Sequence, residues 1–177
     1  GRHARTELDG RTEEVMRAAD LASCLLLAIG LSIAQAPVTQ NAPGEYGLLV
    51  ASEAADQIAV VRFSPAGGRV DRTIETGIMP NDIDGPHGLA VAPDRRSYFV
   101  SLAHGQPFGS VWKYSPEGKV LARATLGMFP ATISVTPDGE FLYAVNFNLH
   151  GDPVPSSVSV LTTEPLQEIA RIPTCRM

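Results

Sequence analysis

Residues Gly85–Asp94 read GPHGLAVAPD, and a degenerate copy, FPATISVTPD, follows 44 residues later at Phe129–Asp138. Both copies place a proline second and a Pro-Asp pair last, with an apolar run between them. A short apolar run bounded by turn residues predicts a strand, and Pro-Asp predicts the turn that ends it. The repeating unit is therefore a strand followed by a turn.

The residues that follow each copy repeat as well. Each turn is followed by three more runs with strand character, which are Tyr98–Leu102, Ser110–Tyr114 and Lys119–Thr125 in the first copy and Leu142–Asn146, Ser157–Leu161 and Leu166–Ile172 in the second. The connection after the second strand carries His-Gly both times, as His104-Gly105 and His150-Gly151. Four antiparallel strands in roughly 44 to 50 residues are typical of a β-propeller blade.

A third, shorter copy begins at Tyr46. It lacks the first strand, and its Arg62–Pro65 (RFSP) matches Lys113–Pro116 (KYSP) in the next copy. Since a closed propeller needs about 4–8 blades, we predict an all-β chain that forms an incomplete β-propeller of about 2.75 four-stranded antiparallel blades. The predicted blades are 46–77, 86–127 and 130–173 within a propeller region 46–177, and the remaining blades of the same propeller are predicted partners. Aromatic residues within the strand runs are predicted to pack between blades, namely Tyr98, Phe99, Trp112 and Tyr143.

The first 45 residues have a different character. Residues 1–15 are polar and are interpreted as a leader outside any fold, and 37–45 as a linker. Between them, 16–36 have a basic start, a 13-residue apolar run at Leu21–Ile33 and small residues after it, which is the pattern of a helical secretory signal peptide. The run is shorter than the roughly 20 residues that span a bilayer. The sequence thus predicts an exported protein, periplasmic or extracellular in a bacterium, with no membrane contact after cleavage.

Composition excludes two classes of protein. The net charge is −5 and the 14 Lys and Arg residues are scattered, so a nucleic-acid partner is not expected. The two cysteines, Cys24 and Cys175, can form neither a disulfide framework nor a Cys-x-x-Cys-His haem site.

Candidate site residues follow from blade geometry. The connection before the first strand of a blade and the connection after its second strand open on the same face of a propeller. This places the predicted ligand-binding residues together, namely His87, Asp84, His104, His150 and Asp152. A histidine before glycine in a tight loop also commonly caps backbone carbonyls, so a structural role for His104 and His150 stays open.

Metal binding and catalysis are alternative interpretations of the same residues, and the sequence supports them less than ligand binding. A candidate metal set is His87, His104, His150 and Cys175, but no local spacing such as His-x-x-x-His supports it. We therefore expect no cofactor, with a transition metal such as copper as the alternative. No Gly-x-Ser-x-Gly motif indicates a serine nucleophile.

Two second-strand segments point to a family. Tyr98–Ser101 (YFVS) and Tyr143–Asn146 (YAVN) each follow Pro-Asp closely, and over residues 46–177 the chain resembles the YVTN-repeat β-propeller proteins. The resemblance implies a seven-bladed propeller of the lactonase-like kind. Related propellers include lactonase-like enzymes and the copper-bearing domain of nitrous-oxide reductase, in which histidines around the funnel hold the metal.

Two functions remain open on the sequence. The first is an exported YVTN-type binding or scaffold protein, with a small molecule or a protein bound at the face that carries His87, His104 and His150. The alternative is an enzyme, either a lactone hydrolase or a metal-dependent redox protein. In that case the histidines would be general bases or metal ligands, oriented by Asp84 or Asp152.

Overall fold

The computed structural model describes residues 44–78, 83–104, 109–148 and 154–175. The strands in chain order are β1 (Tyr46–Ser52), β2 (Gln57–Ser64), β3 (Gly67–Glu75), β4 (Pro86–Val91), β5 (Tyr98–Leu102), β6 (Ser110–Tyr114), β7 (Val120–Thr125), β8 (Pro130–Val135), β9 (Phe141–Asn146), β10 (Ser157–Thr163) and β11 (Leu166–Pro173). A single 3₁₀ turn, η1 (Glu53–Ala55), follows β1. The predicted leader and signal helix lie outside the described residues.

The strands form three antiparallel sheets. Their strand orders are β1-β2-β3, β4-β5-β6-β7 and β8-β9-β10-β11, so within each sheet the strands that pair are consecutive in sequence. This confirms the predicted all-β architecture, with three strands in the first sheet over the residues that the structure describes. In the part of the chain that the structure describes, no helix is long and apolar enough to cross a membrane.

The Pro-Asp pairs make the predicted turns between the first two strands of a sheet. The Asp94 carboxylate accepts the backbone N–H of Arg96 at 2.9 Å, and Asp138 accepts that of Glu140 at 2.9 Å. The Thr136 hydroxyl also donates to Asp138, which lowers the pKa of this carboxyl below its usual value. An aspartate side chain that accepts the backbone N–H two residues later stabilises a tight turn.

Apolar side chains pack between neighbouring sheets on both faces of the second sheet. Ile58 of the first sheet packs with Tyr98, Val100, Leu102, Trp112 and Tyr114. On the other face, Phe99, Val111 and Leu126 pack with Ile133, Leu142, Ala144 and Leu161 of the third sheet. Because successive residues of a strand point to opposite faces, all five residues of β5 are buried.

The aromatic predictions hold for three residues, and the fourth lies on a sheet face that no other described sheet covers. Tyr98, Phe99 and Trp112 are at most 2% exposed, as expected for side chains between blades. Tyr143 is 41% exposed. It alternates with Leu142 and Ala144, which are buried against the second sheet, so the Tyr143 ring lies on the opposite face of the third sheet.

The innermost strands of the second and third sheets approach closely at Gly88. A Cβ atom built on Gly88 would lie 2.5 Å from the Ala131 carbonyl oxygen and 2.8 Å from the Ser101 hydroxyl. That hydroxyl accepts the Gly88 N–H at 2.8 Å. Glycine is therefore required by the space between β4 and β8.

One backbone hydrogen bond recurs at the same end of all three sheets, which we call the rim. In each sheet the residue just after the last strand donates its N–H to the carbonyl of the residue just before the next-to-last strand. The donor and acceptor are Thr76 and Asp56 (2.8 Å), Leu126 and Gly109 (2.9 Å), and Thr174 and Ser156 (2.8 Å). The chain between sheets differs in length, with ten residues at 76–85 before β4 and four at 126–129 before β8. The same backbone bond is therefore present beside a long connection and a short one.

Candidate ligand-binding site at the rim

Two further backbone hydrogen bonds join the connections at the rim. In the second sheet the Ala103 N–H donates to the Gly85 carbonyl at 2.9 Å and the His104 N–H donates to the Asp84 carbonyl at 3.0 Å. The third sheet repeats both bonds, from Phe147 to Phe129 (3.0 Å) and from Asn148 to Met128 (3.0 Å). Gly85 and Phe129 are thus equivalent positions, as are His104 and Asn148.

This equivalence changes the predicted pairing of the histidines. The repeated His-Gly suggested that His150 is the counterpart of His104, but the backbone places Asn148 there. The error comes from the two-residue difference between the His-Gly spacing and the 44-residue repeat. His150 and Asp152 lie outside the described residues, so their predicted roles stay predictions.

Glu53 and His104 form a contact between the first and second sheets. Glu53 lies in η1, and its Oε1 is 2.7 Å from His104 Nε2. Because an ionised carboxylate only accepts, Nε2 carries the proton in this contact. The hydrogen bond from His104 lowers the pKa of the Glu53 carboxyl, against a smaller raising effect of burial, and the charge of His87 adds to the lowering.

His87, another predicted site residue, lies in β4 beside the same group. Its side chain is exposed, and its Nδ1 is 3.2 Å from the Ala131 carbonyl oxygen of β8. A protonated Nδ1 donates to that carbonyl, which fixes the ring against the neighbouring sheet.

Phe129 brings the two histidines together. The centroid of its ring lies 5.5 Å from that of His87 and 5.1 Å from that of His104, with interplanar angles of 66° and 89°. Both contacts are edge-to-face, the arrangement that aromatic quadrupoles favour. Glu53, His87, His104 and Phe129 are called the histidine–phenylalanine cluster below.

The backbone of Phe129 is strained. Its φ is +54°, a left-handed conformation that costs a bulky L-residue about 1–2 kcal/mol. At the equivalent position the second sheet has Gly85, with φ of +60°, where no such cost arises. The left-handed backbone is therefore common to both sheets, whereas the phenylalanine ring occurs only in the third.

We expect a stability difference between two substitutions at this position. Phe129→Ala and Phe129→Gly both remove the ring, but only glycine also removes the Cβ that makes φ of +54° unfavourable. The glycine variant should be more stable than the alanine variant by about 1 kcal/mol, measured by urea denaturation. Equal stabilities of the two variants, or a more stable alanine variant, would contradict the conclusion that the backbone of Phe129 is strained.

Asp84, another predicted site residue, has a structural contact. Its Oδ2 accepts the Ile78 N–H at 2.8 Å and closes the longer connection before β4. The ring of His104 contacts Glu53, whereas Asp84 bonds the His104 backbone.

Asp56 fixes the same connection from the first sheet. Its Oδ1 accepts the Gly85 N–H at 2.8 Å and its Oδ2 accepts the Asp84 N–H at 3.3 Å. Asp56 has φ of +49°, which aspartate tolerates better than most residues. Between η1 and this connection is a cavity of about 470 Å³ that is lined by Ala54, Asp56, Thr76 and Ile83, among others.

Cys175, the remaining member of the predicted metal set, follows β11. Its carbonyl accepts the Ser156 N–H at 3.1 Å, and its side chain is exposed. His87 and His104 meet at Phe129 without it. Within the described ranges, no group of three or more His, Cys, Asp or Glu side chains could hold a metal ion.

Sequence comparison identifies no relatives, because no family model and no curated protein matches the chain. Solved structures do match. Hydrazine synthase from Kuenenia stuttgartiensis is 18% identical, with a TM-score of 0.53 over 81% of this chain and 40% of that chain. A candidate 6-phosphogluconolactonase from Bacteroides fragilis is 14% identical, with a TM-score of 0.55 over 72% of this chain and 36% of that chain. Sqt1 from Saccharomyces cerevisiae is 13% identical, with a TM-score of 0.55 over 74% and 31%.

These likenesses concern the fold. The chain is a segment of a β-propeller. It spans less than half the length of each of these three structures. At identities of 13% to 18%, the propeller fold is shared and no activity is transferred.

Proposed function

We propose that this chain belongs to a β-propeller binding protein whose ligand contacts the histidine–phenylalanine cluster. The observation that carries the proposal is the strained Phe129, whose ring contacts both His87 and His104 at a position where the second sheet has glycine. Backbone strain in a bulky residue is concentrated at functional sites, where the surrounding structure maintains it. A strained aromatic residue at a position where the preceding sheet has glycine is well explained by a ligand.

The chemistry of the cluster favours a small polar ligand that has one apolar face. The cluster offers an aromatic ring, two imidazole edges and the ionised Glu53 carboxylate. A few convergent polar groups beside an aromatic surface are typical of small-molecule sites. Sugar-derived molecules combine hydroxyl groups with apolar C–H faces, and they are the ligand class that we propose.

The proposal also includes the wider context predicted from the sequence. The protein is of the YVTN type and is exported, as the 13-residue apolar run at Leu21–Ile33 suggests. His150 and Asp152 would join the same face from the connection after β9.

Lactone hydrolysis is a second candidate function, favoured by the 2.7 Å contact between Glu53 and His104. A carboxylate that accepts a hydrogen bond from the Nε2–H group orients the ring and leaves Nδ1 as the basic nitrogen. His104 would take a proton from water, and the resulting hydroxide would add to the lactone carbonyl. Cleavage of the ring C–O bond would then transfer the proton to the departing oxygen and give the hydroxy acid. A copper-dependent redox function would instead require His150 to join His87 and His104.

Binding of glucono-1,5-lactone to the full-length protein tests the proposal. In ligand-observed NMR titrations we expect saturable binding that His104→Gln and Phe129→Gly each weaken about tenfold, the effect of losing one hydrogen bond or one aromatic contact. Lys119→Ala, in the turn between β6 and β7 at the other end of the second sheet, should bind like the wild type.

The outcomes separate the candidates. Failure of the wild type to bind the lactone, or equal binding by all variants, would contradict a sugar-derived ligand at the cluster. Turnover above the spontaneous rate that is lost in Glu53→Gln while binding persists would favour the hydrolase.

A further inference from the structure

The histidine–phenylalanine cluster offers a ligand hydrogen-bond acceptors rather than donors. His104 donates from Nε2 to Glu53 Oε1 at 2.7 Å, so Nδ1 of its neutral ring is an acceptor. His87 donates from Nδ1 to the Ala131 carbonyl oxygen at 3.2 Å, so Nε2 of its neutral ring is an acceptor as well. Neither of these two acceptor nitrogens bonds another of the described residues. The contacts within the protein thus leave both imidazoles with the same hydrogen-bonding capacity.

A ligand can reach these acceptors. The side chains of His104 and Glu53 are 32% and 46% exposed, and His87 is exposed as well. Both imidazoles contact the ring of Phe129, with centroid separations of 5.1 and 5.5 Å. One molecule that lies against the Phe129 ring is therefore close to both histidines.

Glu53 adds a negative charge to the same group. The hydrogen bond from His104 lowers the pKa of the Glu53 carboxyl, so this side chain is ionised at neutral pH. Its Oε1 accepts from His104, whereas its Oε2 accepts no hydrogen bond from the described residues. An ionised carboxylate has no donor, so Glu53 also offers a ligand only an acceptor.

The segments that join consecutive strands at the rim carry acidic residues and no basic ones. These segments are 53–56, 76–85, 103–109, 126–129 and 147–156. Their charged residues are Glu53, Asp56, Asp82, Asp84 and Asp152.

Basic residues occur in the turns at the other end of the sheets. Arg95 and Arg96 follow β4, and Lys119 precedes β7. Arg176 comes after β11, the strand at the opposite edge of the third sheet from β8. The charge of the chain is thus distributed unevenly between the two ends of the blades.

This arrangement disfavours an anionic ligand. Phosphate and carboxylate groups are bound by donors and cations, as in bidentate pairs with arginine. The cluster offers acceptors, and its carboxylate repels a second negative charge. A hydroxyl group, in contrast, donates a hydrogen bond without bringing any charge.

We propose that the cluster binds an uncharged molecule with several hydroxyl groups, which donates hydrogen bonds to His87 Nε2 and His104 Nδ1. Phosphorylated and carboxylated derivatives of the same molecule are excluded by the acidic rim. This inference rests on the proposed ligand-binding function of the cluster and adds the charge of the ligand and the direction of its hydrogen bonds.

A matched pair of sugars tests the direction of the hydrogen bonds on the full-length protein. Methyl β-glucopyranoside carries hydroxyl donors, whereas its fully O-methylated derivative has the same ring and only ether acceptors. At about pH 8, where imidazole side chains are ordinarily neutral, we use ligand-observed NMR titrations. The glucoside should bind about a hundredfold more tightly than the methylated sugar, since each of two hydrogen bonds contributes about tenfold.

His87→Phe keeps a ring at an exposed position and removes one acceptor. The preference for the glucoside should fall to about tenfold in this variant, while the affinity for the methylated sugar stays unchanged. Equal affinities of the two sugars in the wild type, or an undiminished preference in His87→Phe, would overturn the inference.

A second pair of sugars tests the exclusion of anions. Methyl β-glucuronide differs from the glucoside by one carboxylate, and it should bind the wild type about fivefold more weakly at low salt. Glu53→Gln should narrow this difference. Glu117→Gln makes the same charge change at an exposed position in the turn between β6 and β7, and should leave the difference as it is. A glucuronide that binds as tightly as the glucoside would contradict the exclusion.

The results distinguish this inference from the proposed function. If neither the glucoside nor glucono-1,5-lactone binds, the ligand site itself is contradicted, and the inference fails with it. If the methylated sugar binds as tightly as the glucoside and Phe129→Gly weakens both, the cluster is a ligand site, and only the direction of its hydrogen bonds is wrong.

Discussion

Gly88→Val is expected to destabilise the protein by about 3 kcal/mol, at the upper end of the usual cost of overpacking. The new Cβ would lie 2.5 Å from the Ala131 carbonyl oxygen and 3.1 Å from the Ile133 amide nitrogen. Both are backbone atoms of β8, which is held by its pairing with β9. Relief therefore requires β4 and β8 to move apart, which would open the core between the second and third sheets.

Chemical denaturation followed by Trp112 fluorescence measures this effect, because Trp112 is buried between the first two sheets. Gly47→Val in β1 is the matched control, since a Cβ there meets only the end of the Arg62 side chain at 3.6 Å. The control should change the free energy of unfolding by less than about 0.5 kcal/mol. Equal effects of the two substitutions on the free energy of unfolding would show that the close approach of β4 and β8 does not exclude a side chain at Gly88.

Asp56→Ala should cost about 2–3 kcal/mol of stability. The substitution removes the acceptor of the Gly85 and Asp84 N–H groups, and it places alanine at φ of +49°. Gly85 is buried, so its N–H would lose a partner that water cannot readily replace.

Asp56→Asn separates these contributions. Asparagine tolerates the left-handed conformation and keeps one carbonyl oxygen for Gly85, so it should lose less than half as much as alanine. Hydrogen exchange of the Gly85 amide provides a local measurement and should accelerate strongly in the alanine variant only. If alanine and asparagine behave alike, the carboxylate does not hold this connection.

The sheets could be predicted from the sequence because the same order of strand and turn residues occurs in two copies, and each copy supports the interpretation of the other. Pro86 and Pro130 each begin an innermost strand, and the Pro-Asp pairs end it. The strand count of the first sheet followed from the absence of such a segment before Tyr46. The strand and turn preferences of the sequence agree with the way in which the sheets pack over this region, and such agreement makes a fold predictable.

The cluster could be predicted only in part. His87 and His104 were identified from their connections, but Glu53 is an ordinary acidic residue that reaches His104 across 51 positions of sequence. Such a contact depends on how sheets pack, and no local spacing encodes it. The strain at Phe129 could have been found, because the alignment of Phe129-Pro130 with Gly85-Pro86 places phenylalanine where glycine occurs.

The shared backbone bond at the rim has a consequence for how such a protein can change over generations. The bond joins only backbone groups, from Thr76 to Asp56, from Leu126 to Gly109 and from Thr174 to Ser156, so it does not depend on the length of the chain that follows each donor. Connections of ten and four residues are already accommodated beside the same bond. Changes in the length of these connections can therefore arise at one end of the blades while the backbone bond is kept, and new binding specificities can arise there one connection at a time.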